Sequence, residues 1–125
     1  MYTYRHNTAV EDLVVRFVDG GKIAAVVCHA TCVLLDAKLP SGDLLVAGRT
    51  WTGFANSEED VADSFVGQKI QPFRIEDEAR ALKGTNFIVH QAFAAHAVRD
   101  GGLITGQQQH SGAAAARLVI EALGR

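Results

Sequence analysis

The order of apolar and polar residues predicts where the chain is helical and where it is extended. Helical spacing of apolar residues predicts a first helix over residues 8–19. Its apolar stripe is expected to consist of Leu13, Val14, Phe17 and Val18. Thr8 is the expected cap of this helix, and Gly20–Gly21 is expected to end it.

A continuous apolar run, Ile23–Val27, follows the first helix. Such a run is typical of a strand that is buried on both faces of a parallel sheet. Cys28 comes directly after it, and residues 31–35 resume helical apolar spacing. The sequence therefore predicts a buried strand that turns tightly, at Cys28, into a second helix.

The remainder of the chain alternates between predicted helices and short predicted strands. Further strands are expected at 44–46, 49–52, 86–89, 97–100 and 103–105, the last two forming a hairpin through Gly101–Gly102. Further helices are expected at 58–66, capped by Asn56 or Ser57, at 75–82, and at 113–123, capped by Ser111. This alternation predicts a single α/β domain over residues 1–125.

Composition and charge narrow the possible partners. The chain has 125 residues, of which 48% are hydrophobic and 21% charged, so it is expected to fold as one globular domain. The net charge is −2 and no basic run occurs, which argues against a nucleic-acid partner. No apolar run is long enough to span a bilayer and residues 1–7 do not resemble a signal peptide, so a cytoplasmic location without membrane contact is expected.

Cys28 is the residue whose position points most clearly to chemistry. A cysteine between a buried strand and a helix has the geometry of a nucleophile elbow, where the helix amides favour a thiolate. His29 could act as its general acid or base, and one of the acids Glu58, Glu59 and Asp60 could orient this histidine. The alternative for Cys28 is an inert, buried thiol, because free cysteine is often buried.

The other candidate residues carry weaker signals. Cys32, one turn later, is expected to pack in the core, and a resolving-cysteine role is the alternative. The acids at 58–60 also suit the first turn of a helix without any catalytic role. His90, His96 and His110 match no zinc-binding spacing and are expected to be surface or loop histidines. The sequence therefore predicts no metal and no cofactor.

Three segments in this order resemble motifs of the ThiJ/PfpI superfamily, the class I glutamine-amidotransferase-like proteins. Ile23–His29 resembles its nucleophile segment, Thr52–Glu59 its threonine-glycine-phenylalanine segment ending in paired acids, and Asp100–Gln107 its C-terminal hairpin. The resemblance is closest to the heat-shock-chaperone branch, which includes glutathione-independent glyoxalases (glyoxalase III) and putative intracellular proteases or amidases. It implies a flavodoxin-like three-layer sandwich with a mostly parallel sheet.

The resemblance also implies a catalytic triad and a class of substrate. Cys28 matches the nucleophile, His29 the histidine and Glu59 the acid, with Glu58 as the fallback. In the glyoxalase interpretation the triad converts methylglyoxal to lactate without metal or glutathione. The same triad could instead hydrolyse an amide or peptide, so the substrate is expected to be a small reactive carbonyl or an amide. A redox-sensing or chaperone-like protein without turnover is the non-enzymatic alternative.

One family feature is expected to lie outside the chain. Family members carry a Gly-Gly-His-Gly segment that supplies an oxyanion donor, followed by Met-Trp-Asp, and Met1-Tyr2 resembles the start of that last motif. The sequence is therefore expected to correspond to the C-terminal half of a family domain. A homodimer, or completion by the missing N-terminal half, is the expected assembly, and weak or no activity is expected of the chain alone.

Overall fold

Helices and strands alternate in the computed structural model, which describes residues 1–124. The α-helices are α1 (Thr8–Asp19), α2 (Asn56–Val66), α3 (Ile75–Ala81) and α4 (Gly112–Ala122). The strands are β1 (Ala24–Val27), β2 (Thr50–Trp51), β3 (Asn86–Phe87), β4 (Ala97–Asp100) and β5 (Leu103–Gly106). Two 3₁₀ helices cover Cys28–Leu35 and Gln109–Ser111. The predicted α/β class is confirmed.

The main sheet has the strand order β1-β5-β4. β1 pairs with β5 in parallel, so that Val27 lies opposite Gly106, and β4 pairs with β5 as the predicted antiparallel hairpin. Gly102 immediately precedes β5 and passes close to the backbone of Lys22: a Cβ at residue 102 would lie 2.2 Å from the carbonyl oxygen of Lys22. β2 and β3 form a separate parallel pair. The junction of β1 and β5 thus requires glycine at 102.

The start and the buried face of α1 differ from the prediction. Asn7, not Thr8, caps the helix, because its extended backbone lets the side-chain oxygen accept a hydrogen bond from the Val10 N–H at 3.2 Å. The buried residues are Val14, Val15 and Val18. Leu13 and Phe17 are 56% and 40% exposed, so half of the predicted apolar stripe is wrong.

Burial of β1 on both faces was also a wrong prediction. β1 is the end strand of its sheet in the described chain, none of its four residues is buried, and Ala25 is exposed. The helix predicted for residues 31–35 is part of the 3₁₀ helix that already begins at Cys28.

Three predicted strands are shorter than expected or absent. The strands predicted at 49–52 and 86–89 cover only Thr50–Trp51 and Asn86–Phe87, and residues 44–46 form only an isolated bridge between Lys38 and Leu44. The backbone groups of Leu45 and Val46 are bound by the Ala37 carbonyl and the Thr85 hydroxyl instead of by a strand. Loop contacts therefore satisfy hydrogen bonds that the apolar pattern had assigned to a sheet.

The core lies beneath the 3₁₀ helix that follows β1. Its fully buried large side chains include Leu34, Leu45, Trp51, Ile75 and Leu103. Cys32 is 0% exposed and packs within this cluster, as the sequence predicts. None of the helices between residues 1 and 124 is long and apolar enough to cross a bilayer.

Candidate active site

Cys28 lies at the carboxyl end of β1 in a backbone conformation that few side chains adopt. Its φ is +64°, in the left-handed region, and the 3₁₀ helix starts at this residue. The Thr31 hydroxyl donates a hydrogen bond to the Cys28 carbonyl oxygen at 2.7 Å, which holds the turn. A left-handed conformation at a residue other than glycine costs on the order of 1–3 kcal/mol, and such strain clusters at functional sites. The predicted elbow at Cys28 is therefore present in the fold.

Gly53 has no side chain, which leaves room for the Thr31 hydroxyl group that holds the turn at Cys28. A Cβ at residue 53 would lie 2.3 Å from the Thr31 hydroxyl oxygen and 3.3 Å from a methyl carbon of Ile75. Ile75 is fully buried and cannot move aside easily. The glycine of the Thr52-Gly53-Phe54 motif is thus required by its close approach to the elbow.

Gly53→Ala is expected to lower the free energy of unfolding by about 1–3 kcal/mol, because the added methyl group overpacks the site. We expect it also to slow the reaction of Cys28 with alkylating agents, since Thr31 must shift. Gly112→Ala is the matched control, as nothing lies within 4 Å of a Cβ at this helical position. Urea unfolding of both variants measures the difference. Equal stability of the two would contradict this account of Gly53.

His29 connects the thiol to a buried carboxylate. Its Nδ1 lies 3.5 Å from the Cys28 Sγ, and its Nε2 lies 2.7 Å from Glu59 Oε1. The imidazole also stacks on Phe54, with ring centroids 4.0 Å apart. The ring is therefore fixed on both nitrogens and on one face.

The surroundings of His29 favour its protonated form. Burial lowers the pKa of this histidine, but hydrogen bonds to Cys28 and Glu59 and the charges of both residues outweigh burial and raise it to about 9. At neutral pH the ring is thus an imidazolium between sulfur and carboxylate. A cation in contact with a cysteine favours the thiolate, the nucleophilic form.

The neighbouring acid Glu58 has a different role in the fold. Its two carboxylate oxygens accept hydrogen bonds from the backbone N–H of Ala55 at 3.0 Å and of Phe93 at 2.9 Å. Ala55 is the N-cap of α2, so the predicted caps Asn56 and Ser57 are wrong. An apolar residue can occupy this position because the Glu58 side chain reaches back to the cap N–H. Glu59, not Glu58, contacts His29.

Two buried glutamines near the site were not singled out from the sequence. Gln107 and Gln108 follow β5 and are 0% exposed. Gln108 donates a hydrogen bond to the Ala94 carbonyl at 2.6 Å, and Gln107 binds the backbone of His90. A glutamine pair directly after a buried strand was the available signal, because glutamine is seldom fully buried without partners.

A cavity of about 760 Å³ lies away from Cys28, between α1, α4 and the sheet. Its apolar lining includes Phe17, Ile23, Ala25, Val119 and Leu123, and Lys22, Arg99 and the hairpin glycines also line it. The cavity therefore reaches from β1 to the β4–β5 hairpin and does not adjoin the catalytic candidates.

A site that holds a metal ion through several side chains requires these side chains to converge on one point. Within residues 1–124 no group of three or more histidine, cysteine, aspartate and glutamate side chains is placed to hold a metal ion.

Comparisons with known proteins identify the family to which this fold belongs. The model of the DJ-1/PfpI family matches residues 2–122. The crystallographic structure of APC35852 is 32% identical with a TM-score of 0.86. Rapid Encystment Protein 24 KDa from Francisella tularensis is 20% identical (TM-score 0.86), and glyoxalase III from Candida albicans is 24% identical (TM-score 0.83). The comparison with curated proteins gives no match.

These alignments cover nearly all of this chain but only about half of each solved structure. The three structures are matched over 98%, 98% and 97% of this chain, but over only 54%, 52% and 52% of their own chains. This chain therefore spans about half the length of the solved structures it matches. The similarity confirms the predicted flavodoxin-like α/β fold with its mostly parallel sheet. Together with the match over residues 2–122, it shows that the chain belongs to the DJ-1/PfpI family.

Proposed function

We propose that this chain carries the cysteine-nucleophile site of a glyoxalase-type enzyme that converts methylglyoxal to lactate. The observation that supports the proposal is the continuous path from Cys28 Sγ through the His29 ring to Glu59 Oε1, at 3.5 and 2.7 Å. This arrangement supplies a nucleophile, a proton carrier and a fixed negative charge. The proposed catalytic residues are accordingly Cys28, His29 and Glu59.

The first proposed step forms a carbon–sulfur bond. The Cys28 thiolate adds to the aldehyde carbon of methylglyoxal, and the electron pair of the C=O bond moves to oxygen. The His29 imidazolium gives its proton to that oxygen, which yields a neutral hemithioacetal. His29 is then a neutral base, while Glu59 keeps the ring oriented.

The second proposed step is an internal transfer of hydrogen and does not require an external oxidant. His29 removes the proton from the former aldehyde carbon, which gives an enediolate with its negative charge on the former ketone oxygen. Return of that proton to the neighbouring carbon, with transfer of the hydroxyl proton from the former aldehyde oxygen to the former ketone oxygen, leaves a thioester of lactate. Water then hydrolyses the thioester and releases lactate and the free thiol. The net reaction adds one water to methylglyoxal, so neither a metal nor glutathione enters the balance.

In our proposal this chain supplies only some of the hydrogen-bond donors that would stabilise the oxyanion. The backbone N–H after an elbow nucleophile, here that of His29, is one usual donor. Family members take a further donor from their Gly-Gly-His-Gly segment, and residues 1–125 contain no such sequence. Loss of one donor costs about 100- to 1000-fold in rate. We therefore propose that the isolated chain turns over slowly.

Lactate formation from methylglyoxal by the isolated chain tests the reaction assignment. Slow lactate formation that is lost in Cys28→Ser supports the proposal. Hydrolysis of small amide substrates without lactate formation would replace it with the amidase alternative. Fast turnover would contradict the proposal that an oxyanion donor is missing.

We also propose that the unpaired edge of β1 is an interface, filled in the isolated chain by a second copy. Ala25 of this strand is exposed and lines the 760 Å³ cavity, whose walls also include apolar residues of α1 and α4 together with Lys22 and Arg99. Unpaired strand edges next to apolar surface promote association. In a longer polypeptide, additional strands of the same domain would occupy this edge.

Self-association in analytical ultracentrifugation is the expected result for the unmodified chain. Ala25→Arg places a charge beside the free edge and is expected to weaken association at least tenfold. Val61→Arg is the matched control, because Val61 is 52% exposed on α2, outside the lining of the cavity. A monomeric wild type, or dissociation caused by Val61→Arg instead, would contradict the proposed interface.

A further inference from the structure

Two histidines for which the sequence suggests no pairing lie next to each other in the fold. His90 and His96 lie between β3 and β4, and their ring centroids are 5.3 Å apart with an angle of 30° between the ring planes. Six residues apart, the two side chains would lie on different faces of a helix and about 20 Å apart along a strand. The folding of the intervening loop brings the two rings together.

Gln107 holds the backbone on both sides of this pair. Its side-chain oxygen accepts a hydrogen bond from the His90 N–H at 2.7 Å, and its side-chain amide donates to the His90 carbonyl at 3.2 Å. The backbone N–H of the same glutamine donates to the His96 carbonyl at 3.0 Å. The His96 N–H in turn donates to the Ser111 hydroxyl at 3.1 Å. Both histidines are thus positioned by one buried residue and its neighbours.

His96 has an unused ligand atom. Its Nε2 is buried and has no hydrogen-bond partner among residues 1–124. An imidazole nitrogen without a hydrogen-bond partner is available as a ligand for a metal ion. A buried polar atom without a partner also costs free energy, which a bound ion would recover.

The spacing of the rings agrees with ligation of one ion by both. A Zn–N distance of about 2.1 Å places each ring centroid about 3.2 Å from the ion, so two rings at a tetrahedral angle have centroids about 5.2 Å apart. The observed separation is 5.3 Å. Imidazole suits zinc, copper and nickel, whereas magnesium and calcium prefer oxygen ligands.

We propose that His90 and His96 together bind a divalent transition-metal ion of the zinc type. The chain supplies two ligands, and water completes the coordination shell. Neither histidine belongs to the Cys28–His29–Glu59 path, and neither takes part in the proposed reaction. Bound metal would instead join the two ends of the loop that Glu58 anchors through the Phe93 N–H.

Titration of the protein with Zn²⁺ by calorimetry tests the proposal. The parent is Cys28→Ser, because an accessible thiol would itself bind zinc. We expect one ion per chain, and in this background His90→Asn and His96→Asn should each weaken binding at least about 10-fold, the lower end of what loss of a supporting group costs. His90 is exposed, so its substitution is not expected to disturb folding.

Two other histidines serve as controls for adventitious binding. His110 lies near the same loop, against Phe93, and His6 lies 3.2 Å from a carboxylate oxygen of Asp36. His110→Asn and His6→Asn should retain the affinity of the parent. Absence of binding at millimolar Zn²⁺ would overturn the proposal. So would binding that is unchanged in His90→Asn and His96→Asn, or that is lost in either control.

Discussion

Iodoacetamide at neutral pH is expected to alkylate Cys28 in the folded protein and to leave Cys32 unmodified. Cys28 is partly exposed, whereas Cys32 is 0% exposed and burial raises the pKa of its thiol. The chain thus contains its own control, one cysteine a single turn from the other. Mass spectrometry of peptides after timed labelling measures both rates. Unfolding in urea should remove the difference.

The reactivity of Cys28 should depend on the charge of His29. His29→Gln preserves a polar side chain of similar length but removes the cation beside the sulfur. We expect its alkylation rate at pH 7 to fall at least about tenfold, because the cation that would stabilise negative charge on the sulfur is removed. Equal rates for wild type and His29→Gln would contradict a role of His29 in activating Cys28. Equal labelling of Cys28 and Cys32 in the folded state would contradict the site as a whole.

Substitution of Glu59 is expected to change the pKa of His29 and the reactivity of Cys28, whereas substitution of Glu58 is expected to lower the stability of the fold. Glu59→Gln removes the charge that pairs with His29 Nε2, so it should lower the pKa of His29 from about 9 and slow Cys28 alkylation at pH 7–8. Glu58→Gln should leave both properties unchanged. Its amide group cannot accept both backbone N–H bonds, so this variant should lose about 1–3 kcal/mol of stability.

NMR titration of the His29 ring and urea unfolding separate the two effects. In Glu59→Gln we expect a lower titration midpoint of His29 and a small loss of stability. In Glu58→Gln we expect an unchanged midpoint and a larger loss of stability. If Glu58→Gln moved the His29 titration as far as Glu59→Gln does, the assignment of Glu59 as the partner acid would be wrong.

The same histidine predicts how stability depends on pH. Its folded pKa of about 9 exceeds the reference value of 6.5, so the folded state binds a proton more tightly than the unfolded state. The resulting stabilisation is complete below about pH 6.5 and is lost as the pH rises through about 9. Over that pH interval the free energy of unfolding should fall by about 1–3 kcal/mol more in wild type than in His29→Gln. A parallel decline in both proteins would show that His29 does not carry the effect.

The sequence was sufficient for the elements whose signal is local. The apolar run before Cys28 marked β1, the paired glycines marked the β4–β5 hairpin, and Ser111 marked the start of α4. Each depends on the chemistry of a few adjacent residues. The family motifs narrowed the acid expected to orient His29 to Glu59, with Glu58 as the fallback, which the local pattern left open.

Features that depend on tertiary contacts could not be predicted in this way. Glu58 and Glu59 are adjacent, acidic and both buried, and only the orientation of α2 decides which one faces His29. Burial of β1 depended on neighbouring strands that the apolar run does not specify. The approach of His90 to His96 results from the contacts of Gln107 and is not encoded in the histidine spacing.

The central claim is that Cys28 is a nucleophile toward small reactive carbonyls, and its covalent adduct is the most direct test. Methylglyoxal labelled with ¹³C at the aldehyde carbon should give a protein-bound hemithioacetal or thioester signal in the NMR spectrum. We predict this signal for wild type and its absence in Cys28→Ser. A signal that persists in Cys28→Ser, or no adduct on wild-type protein whose Cys28 alkylates readily, would contradict the claim.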